Sequence, residues 1–183
     1  GQKASSDLRV DLSKLDFLRA CALQKQGFQA GALKYYSKIL ANPKADPDEY
    51  RQSAMQSVVC TLALGKLEAA EELAMQFLND SKISSSDKVL MLEMTAKQQT
   101  NPQKSLPLWR AAIKSAKNPA DKARMMYEVG TGLEQAGKYN EAIKEYQDAL
   151  GFASAKLKPY LLMGIASCAN RIKRSDVALG AFT

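Results

Sequence analysis

The 183-residue chain carries 26 Lys and Arg against 19 Asp and Glu, a net charge of +7, and 46% of its residues are hydrophobic. This length predicts one domain or one run of repeats, and no apolar stretch approaches the roughly 20 residues of a membrane-spanning helix. Histidine is absent, which removes the commonest general base and metal ligand. The basic residues are spread along the chain, so the charge favours solubility over an acidic partner.

Helical spacing of apolar residues, together with capping signals, predicts ten helices and a flexible N-terminal end at residues 1–7. The predicted helices cover residues 8–26, 30–40, 47–64, 67–78, 87–99, 106–117, 119–136, about 141–150, 159–171 and 175–183. We expect Asp46 and Asn118 to cap helices that open with a proline. The sixth of these helices could begin at Pro102, or at Leu106 with Ser105 as its cap; Pro107 favours the second start, because proline deep in a helix costs about 3 kcal/mol. Gly151 predicts a left-handed helix terminus.

The three cysteines, Cys21, Cys60 and Cys168, are widely separated, and each lies within an apolar helical stretch. Their odd number and unpaired spacing argue against a disulfide framework or a zinc site. We expect buried structural thiols, which are typical of a reducing compartment. No metal or cofactor is predicted.

The turns between paired helices recur at a nearly constant interval. They fall at Gly27, Gly65, Thr100, Gly137 and Lys173, which are 38, 35, 37 and 36 residues apart. A helix pair repeating about every 36 residues indicates a solenoid, because one such pair cannot bury its apolar face alone.

The clearest repeat is the fourth, which carries the residues Gly130, Gly137, Tyr139, Ala142, Tyr146, Ala149 and Leu150. With this pattern the chain resembles the tetratricopeptide repeat (TPR) family over residues 12–183. The other repeats carry it less completely, in Gly27, Ala32, Tyr36, Ile39 and Leu40; in Gly65, Leu67, Ala70, Ala74, Phe77 and Leu78; in Thr100, Ser105, Trp109, Ala112 and Ile113; and in Pro159, Ala166, Ala178 and Phe182. Most repeats lack the closing proline of the family, and the period exceeds its usual 34 residues.

The resemblance implies an all-α, right-handed α-α superhelix of about five helix-turn-helix units, the last of them incomplete. The expected units are residues 12–46, 47–84, 85–117, 118–156 and 157–183 of a single solenoid domain. The last unit would leave Ala178, Leu179 and Phe182 uncovered. We therefore expect a fragment of a longer chain, or self-association through the uncapped C-terminal unit.

The first helix of each unit would line a concave groove. In register, one inward row reads Phe17, Met55, Leu90, Tyr127 and Met163. Such a row could hold a partner's helix or peptide, or it could pack between units as ordinary core. Thr131, Glu134 and Asn170 complete the candidate partner-binding residues. The family's lysine, asparagine and arginine clamp for a peptide C-terminus is not present.

No nucleophile elbow, phosphate loop, zinc-protease or dinucleotide motif occurs, so we predict a non-catalytic scaffold or adaptor that binds a protein or peptide. One alternative is a subunit of a bacterial envelope or pilus assembly. Another is an RNA-binding helical repeat, with basic residues dense near the C-terminus at Lys156, Lys158, Arg171, Lys173 and Arg174. The sequence favours a cytoplasmic location over a periplasmic or peripheral membrane one, and it does not identify the partner.

Overall fold

The computed structural model describes residues 2–174 and Gly180, with side chains from residue 12 onward, and all regular structure in this part of the chain is helical. The α-helices are α1 (Gln2–Lys25), α2 (Gln29–Ala41), α3 (Pro47–Ala63), α4 (Leu67–Gln76), α5 (Ser85–Gln98), α6 (Pro102–Ser115), α7 (Pro119–Gln135), α8 (Tyr139–Leu150) and α9 (Lys158–Arg171). A 3-10 turn, Phe77–Asn79, extends α4. The predicted tenth helix, with Ala178, Leu179 and Phe182, lies outside the described residues.

The chain divides into two compact units, an N-terminal unit (Gly1–Met91) and a C-terminal unit (Leu92–Thr183). In the N-terminal unit α1 packs on α2, α2 on α3 and α3 on α4, and α1 also contacts α3. In the C-terminal unit α6 packs on α7, α7 on α8 and α8 on α9, and α7 also contacts α9. Contact between every other helix is the arrangement of stacked helix pairs, which confirms the predicted all-α, TPR-like solenoid class.

Four of the five predicted turns share one backbone geometry. Gly27, Gly65 and Gly137 have φ angles of 84°, 69° and 74°, and Lys173 has a φ of 58°. At Gly27 the glycine N–H donates to Gln24 O (3.0 Å) and the next N–H, from Phe28, donates to Leu23 O (2.9 Å). The turns at Gly65, Gly137 and Lys173 repeat this pair of hydrogen bonds. It is the Schellman closure of a helix, for which a left-handed residue is required.

The capping predictions are confirmed at two helix starts. Asp46 Oδ1 accepts hydrogen bonds from Asp48 N (2.9 Å) and Glu49 N (3.1 Å), and Asn118 Oδ1 accepts one from Ala120 N (2.9 Å). In both helices the proline follows the cap directly, where its missing N–H leaves no hydrogen bond unmade.

The predicted start of α6 is wrong. The helix begins at Pro102, because Asn101 Oδ1 accepts a hydrogen bond from Gln103 N (2.9 Å) and caps it there. Ser105 lies inside the helix, where its Oγ donates to Pro102 O (3.2 Å). Pro107 is tolerated as the sixth residue, since it removes one backbone hydrogen bond and the buried Leu108 and Trp109 anchor the same turn.

Two further predictions, one for the end of α8 and one for the start of α1, also differ from the structure. Gly151 follows α8 with φ −63° and ψ −21°, a right-handed conformation, so it is not a left-handed terminus. The chain continues from it through further turns, and α9 begins only at Lys158. At the other end, α1 begins at Gln2, so residues 2–7 are helical although their composition predicts a flexible end.

Many of the positions that carry the family resemblance are buried in the core. Small residues and one large residue of the second helix of each pair are buried, as the shared pattern predicts. They are Ala32, Tyr36, Ile39, Ala70, Ala74, Phe77, Ser105, Trp109, Ala112, Ala142, Tyr146 and Ala149. The first helices contribute to the core as well, since Val58 and Cys60 of α3 and Met125 and Val129 of α7 are also fully buried.

Candidate functional site

The C-terminal unit is built around the ring of Tyr146 on α8, which is 1% exposed. A Cβ atom added to Gly130 of α7 would lie 2.6 Å from Tyr146 Cδ1. One added to Gly164 of α9 would lie 2.6 Å from Tyr146 Cε2. Both distances are shorter than carbon atoms tolerate, so the ring occupies space that only two glycines leave open. Tyr146 thus holds α7, α8 and α9 together.

The hydroxyl of Tyr146 lies in a small polar group beside this core. It lies 3.4 Å from Thr131 Oγ1 and donates to Glu134 Oε2 (3.4 Å). Glu134 Oε1 accepts a hydrogen bond from Ser167 Oγ (2.7 Å), so the carboxylate bridges α7, α8 and α9. Burial raises the pKa of the Tyr146 phenol well above its ordinary value, which keeps it a hydrogen-bond donor at neutral pH.

The N-terminal unit contains the corresponding group three repeats earlier. Tyr36, buried on α2, donates to Gln24 Oε1 (2.7 Å), and Gln24 Nε2 donates to Gln56 Oε1 of α3 (2.7 Å). Relative to the turn glycines Gly27 and Gly137, Tyr36 occupies the position of Tyr146 and Gln24 that of Glu134. Each unit therefore contains the same kind of bridge between its own helices. Its central side chain is a neutral amide in the N-terminal unit and a carboxylate in the C-terminal unit.

The predicted inward row is not part of the fully buried core. Phe17, Met55 and Tyr127 are half-buried, while Leu90 is 47% and Met163 62% exposed. Phe17 contacts the buried Tyr36 with ring centroids 6.3 Å apart, and Tyr127 contacts Tyr146 at 5.9 Å. These side chains therefore rest on the core and also present surface to solvent.

Sequence reasoning missed one residue of this surface, Tyr160, which is 58% exposed at the start of α9. Its ring lies edge-on to Tyr127 with centroids 6.4 Å apart. Met163 follows one helical turn later, so the three side chains lie on adjacent first helices. We call Tyr127, Tyr160 and Met163 the tyrosine–methionine surface. Tyr160 could have been found from its sequence position, because an aromatic residue three positions before Met163 lies on the same side of the helix. Aligning the repeats by their period alone did not select it.

Next to this surface lies an open pocket of about 340 Å³ in the C-terminal unit. Its lining residues are Thr131, Glu134, Gln135, Tyr139 and Arg171. Two of these, Thr131 and Glu134, are predicted site residues, whereas the predicted Asn170 is exposed and does not line the pocket. The pocket is polar, which distinguishes it from the neighbouring tyrosine–methionine surface.

The cysteines are free, and two of the three are fully buried, as predicted. Burial raises the pKa of the Cys60 thiol to about 11, and burial beside the Glu134 carboxylate raises that of Cys168 to about 12. Such thiols are protonated and unreactive at neutral pH. Cys21 is half-buried, and it lies 3.7 Å from the Tyr36 hydroxyl, which donates to its sulfur.

The described residues contain no group of three acidic or thiol side chains placed to hold a metal ion. Within the same part of the chain, no helix combines the length and the apolarity needed to cross a bilayer. The exposed residues Lys158 and Arg171 stand at opposite ends of α9, about 20 Å apart at 1.5 Å per residue. The basic residues that are dense in the sequence therefore form two separate groups.

Comparison with solved structures gives the same fold. MamA AMB-1 superposes with a TM-score of 0.61 at 20% identity, covering 96% of this chain and 89% of that one. Another MamA crystal structure gives 0.62 at 18%, covering 93% and 87%. MamA 41-end from Desulfovibrio magneticus RS-1 gives 0.55 at 20%, covering 93% and 90%. The sequence matches no family model and no curated protein. The chain has a TPR-like helical-repeat fold.

Proposed function

We propose that the protein is a non-catalytic interaction scaffold that binds a helix or peptide of a partner protein on the first helices of its repeats. In the C-terminal unit the binding residues would be Tyr127, Met163, Thr131 and Glu134, with Tyr160 added. In the N-terminal unit the corresponding candidates are Phe17, Met55 and Leu90. Asn170 would contact a bound segment only at the margin.

The observation that carries the proposal is the tyrosine–methionine surface. Tyr160 and Met163 are more than half exposed. Tyr127 lies between Tyr160 and the buried Tyr146 and contacts both rings. Aromatic and methionine side chains are the residues that protein interfaces use as anchors, and methionine adapts to varied partners. A rigid core under an exposed anchor lowers the entropy lost on binding.

Protein is favoured over RNA as the partner. A single-strand binding surface needs aromatic side chains interleaved with a continuous basic track. Here the basic residues stand at the two ends of α9, and the pocket that Arg171 lines also contains a carboxylate, Glu134. That carboxylate would repel a phosphate backbone. The three free thiols suit a reducing compartment such as the cytoplasm.

The test is quantitative affinity capture with the double variant Tyr127→Ala plus Met163→Lys. Each protein that the wild type captures is identified, purified and titrated directly against wild type and variant. We expect the variant to lose at least tenfold in affinity, because it removes one anchor and places a charge on another. The wild-type protein is also titrated against itself, which tests whether the surface binds a second copy of the chain.

The matched control is Phe152→Ala plus Met75→Lys, the same types of change at exposed positions away from this surface. It should bind as the wild type does. If every captured protein binds both double variants equally, the first-helix surface is not the binding site and the proposal is wrong. Thermal unfolding of both variants shows whether either has lost its fold.

A further inference from the structure

The carboxylate of Glu134 has a charge that the fold does not use. Among the described residues, the ion pairs do not include Glu134. Among the described residues, its side-chain hydrogen-bond partners are the hydroxyls of Tyr146 and Ser167 and the thiol of Cys168. Hydroxyl donors stabilise a carboxylate but leave its net charge in place, and two oxygens can accept more bonds than these.

The bridge between the three helices does not require this charge. In the N-terminal unit the same position is Gln24, which accepts from Tyr36 and donates to Gln56 at 2.7 Å each. A neutral amide therefore makes the same kind of bridge there. The charge of Glu134 is therefore not needed to connect the three helices.

The carboxylate also faces open space. Glu134 lines the pocket of about 340 Å³ together with Thr131 and Gln135 on α7. Arg171 lines the same pocket from the exposed end of α9, yet it makes no ion pair with Glu134 among the described residues, and solvent screens its charge. The pocket thus offers an anion, the neutral hydrogen-bonding side chains of Thr131, Gln135 and Tyr139, and room for a side chain from outside, with the exposed Arg171 at its edge.

We infer that the segment bound on the tyrosine–methionine surface carries a lysine or arginine, and that Glu134 receives the cation of that side chain in the pocket. This inference rests on the proposed function and adds the charge of the partner. Glu134 lies seven residues after Tyr127, which is about 10 Å along α7. The basic residue of the partner therefore lies about three residues from its apolar anchor if the segment is extended, or about seven if it is helical.

The test uses a displayed library of random 16-residue peptides, selected against the wild-type protein. Selected peptides are synthesised with their basic residue and with glutamine in its place, and both forms are titrated against wild type and Glu134→Gln. We expect lysine or arginine at a fixed distance from an apolar anchor. Replacing the basic residue of the peptide with glutamine should lower its affinity for the wild-type protein about tenfold. The same replacement should change the affinity for Glu134→Gln little, because that variant already lacks the charge-assisted bond.

Two variants serve as controls. Glu141→Gln removes the same charge from α8, where Glu141 pairs with Lys138 outside the pocket, and should leave peptide affinity unchanged. Arg171→Gln should leave it unchanged or raise it. Should Glu134→Gln fail to fold, the peptide pair titrated against wild type at 50 and 500 mM salt measures the same interaction, because an ion pair weakens with salt.

The outcomes separate this inference from the proposed function. Peptides that depend on Tyr127 and Met163 but show no basic preference, or bind Glu134→Gln equally well, overturn the inference and leave the scaffold proposal standing. Enrichment of acidic peptides that depend on Arg171 overturns it as well. Peptides that ignore the Tyr127→Ala plus Met163→Lys change overturn both.

Discussion

The three helices α1–α3 and the three helices α7–α9 solve one packing problem in two ways. Each set places a buried tyrosine of its second helix, Tyr36 or Tyr146, between its two first helices. At the position of Gly130 the N-terminal unit has Ala20, which is fully buried. A methyl group is thus accommodated beside Tyr36, whereas beside Tyr146 there is no room for one. The same ring in the same position can therefore demand different neighbours.

The polar side of this comparison points in the opposite direction. Around Tyr36 the bridge is neutral and runs from Tyr36 through Gln24 to Gln56. Around Tyr146 the bridge contains the Glu134 carboxylate and borders a pocket. The more tightly packed of the two tyrosines thus lies beneath the more open and more charged surface. A rigid base under an exposed anchor is what a binding surface requires.

The largest expected effect separates the two tyrosine environments directly. Gly130→Ala should lower the free energy of unfolding by about 3 kcal/mol, because the new methyl group meets the ring of Tyr146. Ala20→Gly, the reverse change beside Tyr36, should cost only about 1 kcal/mol from helix propensity and a small void. Urea denaturation of both variants measures the difference.

The control for this comparison is Gly151→Ala, where the backbone is right-handed and an added Cβ meets nothing closer than 3.8 Å. It should be neutral or slightly stabilising. Equal losses for Gly130→Ala and Ala20→Gly would show that the two environments do not differ.

A smaller effect concerns alkaline stability. The pKa of Cys60 is raised to about 11 and that of Cys168 to about 12, from an ordinary 9.0. Above pH 9 the unfolded chain loses these protons while the folded chain keeps them, so stability is complete below pH 9 and falls as pH rises. Each thiol should remove about 1.4 kcal/mol per pH unit, up to about pH 11 for Cys60 and about pH 12 for Cys168.

Urea denaturation between pH 8 and pH 11 checks this slope in wild type, Cys60→Ala and Cys168→Ala. Each substitution should make the decline shallower, whatever it costs at pH 8 through the methyl-sized void. Identical slopes in all three proteins would mean that neither thiol is as poorly solvated as its burial indicates.

The smallest effect tests the turns that both units share. Lys173 adopts a φ of 58°, where the three matching turns have glycine. Because a left-handed residue with a Cβ costs about 1 kcal/mol, Lys173→Gly should raise the free energy of unfolding by roughly that amount. Gly137→Ala should lower it by a similar amount, although an added Cβ there meets no atom within 4 Å. A shift of the same sign for both changes would contradict a shared turn geometry.

The features predicted correctly from the sequence are those that neighbouring residues decide. Asp46 and Asn118 cap the backbone within three residues of themselves. The turn at Gly137 is closed by two hydrogen bonds that span four and six residues of the chain. Pro107 was misjudged because the cost of a helical proline is set against burial of Leu108 and Trp109 in contacts from elsewhere in the fold. Gly151 was misjudged because glycine permits a left-handed turn without requiring it.

The amino-acid sequence alone determined that this chain forms paired helices with a period near 36 residues, since turns, caps and helical spacing act over short distances. The same reasoning predicted one inward row of first-helix residues that includes Tyr127 and Met163. Only the tertiary structure decided that Gly164 makes room for Tyr146, that Tyr160 contacts Tyr127, and that Glu134 borders a pocket without an ion pair to any described residue. Those relations join residues of different helices, and the way packed side chains share space is not written in any one segment.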